Sequence, residues 1–256
     1  MNILMKLVRS ATNFIGIEIS RAGRKLASEM PVEFNDSERA LFKFVKDNEL
    51  SMTSNERLYA TIMACKYAED QNITGDFVEC GVWRGGNSIL AAGIFTAHRK
   101  ILLFDTFDGM TEPTDIDHTT FGKTSAKEKF NQRIQNGEEK WCYSSLDEVK
   151  DNFAKAGLLS DRVKFVKGDV LKTLEDENNL PEKISVLRLD TDWYESTKKE
   201  LEVLYPRLSI GGIIMIDDYG HWAGAKKAVD EYFEQHGGRP FLQYIDRTGR
   251  VGIKTQ

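Results

Sequence analysis

The sequence predicts an α/β fold: a seven-stranded, mainly parallel sheet with helices on both faces and a C-terminal β-hairpin. Three observations predict it. From Gly75 onward, short apolar runs alternate with amphipathic segments, the pattern of parallel strands joined by crossover helices. Several of these runs end on an acidic residue. Near the C-terminus, two runs face each other across Asp246-Arg247-Thr248-Gly249-Arg250, a turn sequence suited to a hairpin.

Asp76–Cys80 reads as the first strand. Residues 87–97 read as a helix, with Ile89, Leu90, Ile94 and Phe95 on one stripe. Residues 101–104 form a short buried strand ending at Asp105. Residues 107–140 are polar and less regular, a length usual for a lid or a substrate loop. A helix is expected over 145–156, a strand over 163–166 and a strand over Ile184–Leu189. Next come a helix over 197–205, a strand over 213–216 and a helix over 225–233, and strands over 241–245 and 251–253 close the chain. The five prolines all fall at element edges, which suits one continuously folded domain over 51–256. Residues 1–50 are expected to form an N-terminal helical extension.

Composition narrows the function. The chain has 256 residues and a net charge of -5, so it offers no broad basic field for nucleic acid. Cys65, Cys80 and Cys142 lie far apart without a CxxC pair, which argues for free thiols in a reducing cytosol rather than a zinc site. No apolar run approaches the roughly 20 residues of a membrane helix. The first 27 residues mix apolar side chains with Lys6, Arg9, Arg21, Arg24 and Lys25. They read as an amphipathic helix packed on the domain or on a second subunit, which leaves room for a homo-oligomer, and they lack the pattern of a signal peptide.

Ligands of an open parallel sheet bind beyond the carboxyl ends of its strands. There the first strand runs into Glu79-Cys80-Gly81-Val82-Trp83-Arg84-Gly85-Gly86-Asn87-Ser88. Its glycines permit a tight turn and a close approach, and Ser88 or Asn87 can cap the next helix. The spacing is not the GxGxxG of dinucleotide binding. An acid at the start of the loop suits a ligand bearing an ammonium group, such as S-adenosylmethionine, so Glu79, Gly81 and Ser88 are candidate cofactor residues. Asp105, 24 positions after Gly81, is placed to accept from ribose hydroxyls. Gly168 and Asp169 end the third strand, where an adenine edge would lie. Asp190, Asp217 and Asp218 end two later strands; packed like charges repel, and a hard divalent ion such as Mg²⁺ or Mn²⁺ prefers oxygen ligands.

Four stretches, 76–86, 104–110, 187–194 and 216–222, resemble the macrocin/mycinamicin O-methyltransferase family. The resemblance covers about Ser51 to Phe233. It implies a Rossmann-like class I methyltransferase fold acting on sugar hydroxyls of natural products with S-adenosylmethionine and Mg²⁺. It further implies that Asp190, Asp217 and Asp218 hold the metal, that Asp192 is the general base, and that Met52, Thr53 and Ser54 close over the cofactor.

In that reading, metal coordination acidifies an alkyl hydroxyl and Asp192 takes its proton. If the chain stays extended, Asp190 and Asp192 point to one side; alternatively Asp192 caps the helix near Tyr194. His221, Trp193, Tyr194 and Trp222 are candidates for the acceptor pocket, and Arg84 for the cofactor carboxylate. The expected partner is a small-molecule glycoside. A polysaccharide or aromatic hydroxyl, or an inactive S-adenosylmethionine-binding protein, are the alternatives. An aspartate-nucleophile phosphatase is disfavoured by the late position of Asp190-Thr191-Asp192, and a nicotinamide dehydrogenase by the missing fingerprint.

Overall fold

The computed structural model describes residues 30–138 and 140–256; the expected helix over the first 27 residues lies outside them. The chain divides into two compact units between Phe34 and Asn35. In the larger unit the helices are α1 (Asp36–Asp47), α2 (Asn55–Asp70), α3 (Gly86–Ile94), α4 (Ala126–Gln135), α5 (Leu146–Lys155), α6 (Val170–Thr173), α7 (Tyr194–Leu204) and α8 (Ala223–His236). Its strands are β1 (Asp76–Cys80), β2 (Ile101–Asp105), β3 (Val163–Lys167), β4 (Ile184–Leu189), β5 (Leu208–Ile216), β6 (Gln243–Tyr244) and β7 (Arg250–Ile253).

The sheet order is β3-β2-β1-β4-β5-β7-β6. β1 to β5 are parallel, and β7 runs antiparallel to β5 and β6. The strand order reverses between β1 and β4, so their carboxyl ends open a crevice there.

Strand alternation sorts side chains onto two faces. Val78, Cys80, Leu187, Leu189, Ile214 and Ile216 pack with Leu201, Leu204, Val229 and Phe233 of α7 and α8. The alternate positions, including Glu79 and Arg188, turn to the face covered by α2. Phe77, Val186 and Ile213 keep that face apolar and buried.

Several boundaries differ from expectation: α3 ends at Ile94 rather than residue 97, α8 runs from Ala223 to His236, and β6 spans only Gln243–Tyr244 rather than 241–245. β5 begins at Leu208, because Ser209 and the Gly211-Gly212 pair break the apolar run through which the strand nevertheless pairs. α7 begins at Tyr194. The 107–140 insertion contains α4, capped by the Ser125 hydroxyl accepting from the Glu128 amide. It is tied to the domain rather than loose. The Thr120 amide donates to the His221 carbonyl (2.8 Å), the Ala223 amide to the His118 carbonyl (2.8 Å), and the Trp193 indole to the Thr111 carbonyl (3.0 Å).

Glu200 of α7 is fully buried in the apolar layer. Its Oε1 accepts from the Thr191 hydroxyl at 2.8 Å, and its Oε2 has no partner. Burial pushes its pKa up to about 8. The unfolded value is about 4.3, so the folded chain holds this proton more tightly. Stability therefore falls as pH rises between these values, and the loss is complete once pH passes the folded value. Glu200→Gln should flatten the fall in melting temperature between pH 5.5 and 8.5. Parallel curves for the two proteins would rule out the buried acid as its source.

Candidate active site

The crevice beyond β1, β2 and β4 is lined by Met52, Thr53, Gly81, Asp105, Gly168, Asp169, Asp190, Asp192 and Asp217, with Arg57, Trp193 and Cys142. Nine of the expected site residues thus meet around one cleft. Four others, Ser54, Glu79, Ser88 and Asp218, lie around it without forming its wall.

The floor is Arg188, whose side chain is completely buried. It stands opposite Glu79 in the β1–β4 register. Its Nη1 donates to Glu79 Oε1 (2.7 Å) and Asp190 Oδ2 (2.7 Å), and its Nη2 to Asp217 Oδ1 (2.5 Å). A buried guanidinium is tolerated only when paired, and three carboxylates do this here. Glu79 also accepts from the Ser88 hydroxyl. Burial, against the pull of Arg188, puts the Glu79 pKa at about 7. In this structure Glu79 therefore faces a protein cation with the Ser88 hydroxyl on its other oxygen, and neither residue lines the cleft.

Arg57 of α2 is a second cation. It pairs with Asp217, and its Nε donates to Asp246 Oδ2 at 2.9 Å. Asp246 also accepts from the Ser54 hydroxyl (2.6 Å) and the Gly249 amide (2.8 Å). Burial opposes its ionisation, yet these donors outweigh it and hold its pKa at about 2. Ser54 itself caps α2, accepting from the Arg57 amide. The C-terminal hairpin is thereby tied to the segment bearing Met52 and Thr53.

The glycine loop corrects one expectation. Neither Asn87 nor Ser88 caps α3; the N-cap is Gly85 in the left-handed region (φ 88°) without a side-chain cap. Asn87 instead accepts from the Thr61 hydroxyl (2.8 Å). Gly81, at φ 84°, has no room for a side chain: an added Cβ would lie 1.9 Å from the Asp190 carbonyl oxygen. Its close approach is to the end of β4. Asp105 accepts from the amides of Val82 (2.7 Å), Trp83 (3.1 Å) and Phe107 (2.6 Å), so it shapes this loop as well as lining the cleft. Asp169 accepts from the Leu171 amide (2.9 Å), capping α6.

Asp192 does not continue an extended chain. Its φ is +69°, a conformation costly for a non-glycine residue, so Asp190 and Asp192 do not share a side by strand alternation. Asp192 Oδ1 accepts from the Trp222 indole at 2.7 Å. Nor does it cap α7. That role is taken by the buried Asp117 of the insertion, whose Oδ1 accepts from the Tyr194 amide at 2.9 Å. Gly224 leaves the space for it, since a Cβ there would lie 1.9 Å from Asp117 Oδ1. Burial, then Asp190, pushes the Asp192 pKa up to about 8.

Of the other candidates, Trp193 lines the cleft, Tyr194 donates to Glu231 (2.7 Å), and Arg84 pairs with Glu148 (3.0 Å) away from it. His221 is half-buried; burial, then Lys129, Arg247 and Arg57, holds its pKa below the usual value. Sequence reasoning missed Arg188, Arg57, Asp117 and Asp246. Only Arg188 carried a signal, as the one charge within an apolar strand.

The metal expectation passes a chemical test. Oxygens of Asp190, Asp217 and Asp218 lie within 4.8 Å of one another. Asp218 Oδ2 is buried with no hydrogen-bond partner. Burial pushes the pKa of Asp190 and Asp218 well up, with neighbouring carboxylates adding to the shift. Fully ionised, Glu79, Asp190, Asp192, Asp217 and Asp218 would outnumber the two guanidinium groups, and the donor set suits a hard cation.

The sheet order and the cleft at its reversal define a Rossmann-like methyltransferase fold. The family model described as macrocin O-methyltransferase (TylF) matches residues 9–251, and the chain belongs to that family. It is 37% identical over 184 residues to mycinamicin III 3''-O-methyltransferase of Micromonospora griseorubida, covering 69% of this chain and 67% of that one. It is 38% identical over 181 residues to a tetracenomycin rhamnosyl 4'-O-methyltransferase of Streptomyces olivaceus, covering 69% and 65%. The chain thus spans about two thirds of the length of these relatives. The solved O-methyltransferase NovP aligns at a TM-score of 0.69 and 32% identity, over 81% of this chain and 83% of that one. An O-methyltransferase of Bacillus cereus in complex with SAH shares the fold at a TM-score of 0.54 and 14% identity, over 89% and 95%. Among the described residues no helix is long and apolar enough to cross a membrane.

Arg188→Met should cost about 3–5 kcal/mol at pH 7, because removing one partner strands buried carboxylates. Urea unfolding should also show the deficit shrinking as acid protonates them. A loss below about 1 kcal/mol would mean that the guanidinium is not the electrostatic floor.

Proposed function

We propose that this chain transfers the methyl group of S-adenosylmethionine to a hydroxyl of a sugar or glycosylated natural product, in a divalent-metal-dependent reaction. The observation that carries the reading is Asp192: a strained, half-buried carboxyl at the cleft wall, held by an indole, beside three further aspartates. The named activities of the relatives support the reaction class and a glycoside acceptor.

In this reading Met52, Thr53, Gly81, Asp105, Gly168 and Asp169 form the cofactor wall, while Ser54, Glu79 and Ser88 support it from behind. Asp190, Asp217 and Asp218 hold Mg²⁺ or Mn²⁺. When bound, the donor would supply an electrophilic methyl on a sulfonium, leaving as S-adenosylhomocysteine, and the cation would lower the pKa of the acceptor hydroxyl. The chain's own residues do the rest. Asp192 accepts the hydroxyl proton. Trp222 fixes its carboxylate. Arg188 holds the acids in position, and the 107–140 insertion roofs the acceptor side. In-line positioning then supplies much of the acceleration. The unpaired cysteines suit a reducing compartment, so a cytoplasmic location belongs to the proposal.

The test is transfer of a labelled methyl group to a panel of glycosides with Mg²⁺ and with EDTA. Turnover should require the metal; undiminished transfer in EDTA would remove it from the mechanism. Asp192→Asn should lower kcat by about 10²–10⁴-fold with KM and S-adenosylhomocysteine affinity little changed. A loss confined to KM would remove its role as base. Asp217→Ala should abolish metal-dependent turnover while S-adenosylhomocysteine still binds by calorimetry. Full activity in that variant would contradict the ligand set.

A further inference from the structure

Around Trp222 and His221, the insertion and the hairpin turn bring basic and aromatic side chains together. Lys129 of α4 lies with its Nζ 6.0 Å from the Trp222 ring centre. The His221 ring packs edge-on against the same indole at 4.7 Å. The Arg247 guanidinium stacks over Phe121 at 5.0 Å, and Phe121 is 67% exposed. Lys129, Arg247 and Arg57 all act electrostatically on His221.

Three basic groups of the same insertion are neutralised. Lys127 pairs with Asp115, Lys140 with Asp108 and Arg133 with Glu138. Asp246, next to Arg247 in sequence, is already engaged by Arg57 and Ser54. Lys129 and Arg247 have no carboxylate partner among the described residues. Arginine and lysine in such a group recognise phosphate, and the exposed ring can stack on a planar group.

We propose that the acceptor is a phosphate-bearing sugar, such as a nucleoside-diphosphate sugar, whose phosphate is held by Lys129 and Arg247. This deepens the methyltransferase reading and rests on it. The geometry also resolves an electrostatic objection. The aspartates around Asp192 would repel an anion brought among them. Lys129 lies against the Trp222 ring whose indole nitrogen holds Asp192, so the reacting hydroxyl can lie at Asp192 while the phosphate meets the cations rather than the aspartates.

The experiment is calorimetric titration of the full chain with uridine diphosphate, inorganic pyrophosphate and uridine. EDTA is present throughout, so that chelation of a bound metal does not contribute. Uridine diphosphate should bind, and Lys129→Ala with Arg247→Ala should weaken it by about tenfold or more. Arg247→Glu should weaken it further, and raised salt should weaken the unmodified chain. Comparable pyrophosphate binding would locate recognition in the phosphates. Tighter uridine diphosphate binding that is lost in Phe121→Ala would add the stacked ring. S-adenosylhomocysteine titrated into the same proteins is the control. If it binds all of them while neither phosphate probe binds, or both bind the variants unchanged, the phosphate-bearing acceptor is overturned and the methyltransferase reading stands. Equal affinity for uridine and uridine diphosphate overturns it as well. Failure of S-adenosylhomocysteine to bind the unmodified chain strikes the methyltransferase reading itself.

Discussion

The site depends on one buried guanidinium. Arg188 reaches three carboxylates from two neighbouring strands and its own strand end. Without it, Glu79, Asp190 and Asp217 would be like charges in a medium that screens them poorly. With it, they become a fixed array at the reversal of strand order, which is also where a parallel sheet leaves room for a ligand. The arginine reaches all three because it projects from the strand between β1 and β5. A residue on an outer strand could not pair in both directions.

Arg188 does not neutralise the array, and this incompleteness has chemical use. The protein adds Arg57, which lines the cleft and divides itself between Asp217 and Asp246. Negative charge still exceeds positive. Burial, with the neighbouring carboxylates adding to it, raises the proton affinity of Asp190, Asp192 and Asp218, and Asp218 keeps an unpartnered oxygen. A proton or a metal ion can relieve the same excess, so binding one would displace the other. Arg57 links that balance to the rest of the fold, because its second partner anchors the hairpin turn and the N-cap of α2 through Ser54.

The fold was legible wherever periodicity was strong. β1 and β4 stand within their expected limits because both are short apolar runs bounded by turn residues. β5 was half legible: its first residues pair with β4 through a register shift, and glycines give no periodic signal. The acidic strand ends were legible because topology places them at one rim. The support beneath them was not. Arg57 and Asp246 are 189 residues apart, and no local pattern announces such a pair. The conformation of Asp192 was also hidden, since its left-handed turn is imposed from outside, by Trp222 and by the tightly packed start of α7.

The insertion shows how the distant parts become one site. Asp117 supplies the helix cap that α7 lacks in its own sequence, and it fits because position 224 carries no side chain. This fixes the start of α7, and hence Trp193, which packs against Trp222 and Trp141 at ring separations of 5.1 and 5.8 Å. Trp222 then holds Asp192 by its indole nitrogen. Each contact lies within hydrogen-bonding or packing distance, so a shift of the insertion moves the carboxylate at the cleft wall. The segment least regular in sequence is therefore mechanically joined to the residue that would take the proton. Variation in its acceptor-facing side chains can change what is bound without disturbing the buried cap, which is how one scaffold can serve different acceptors.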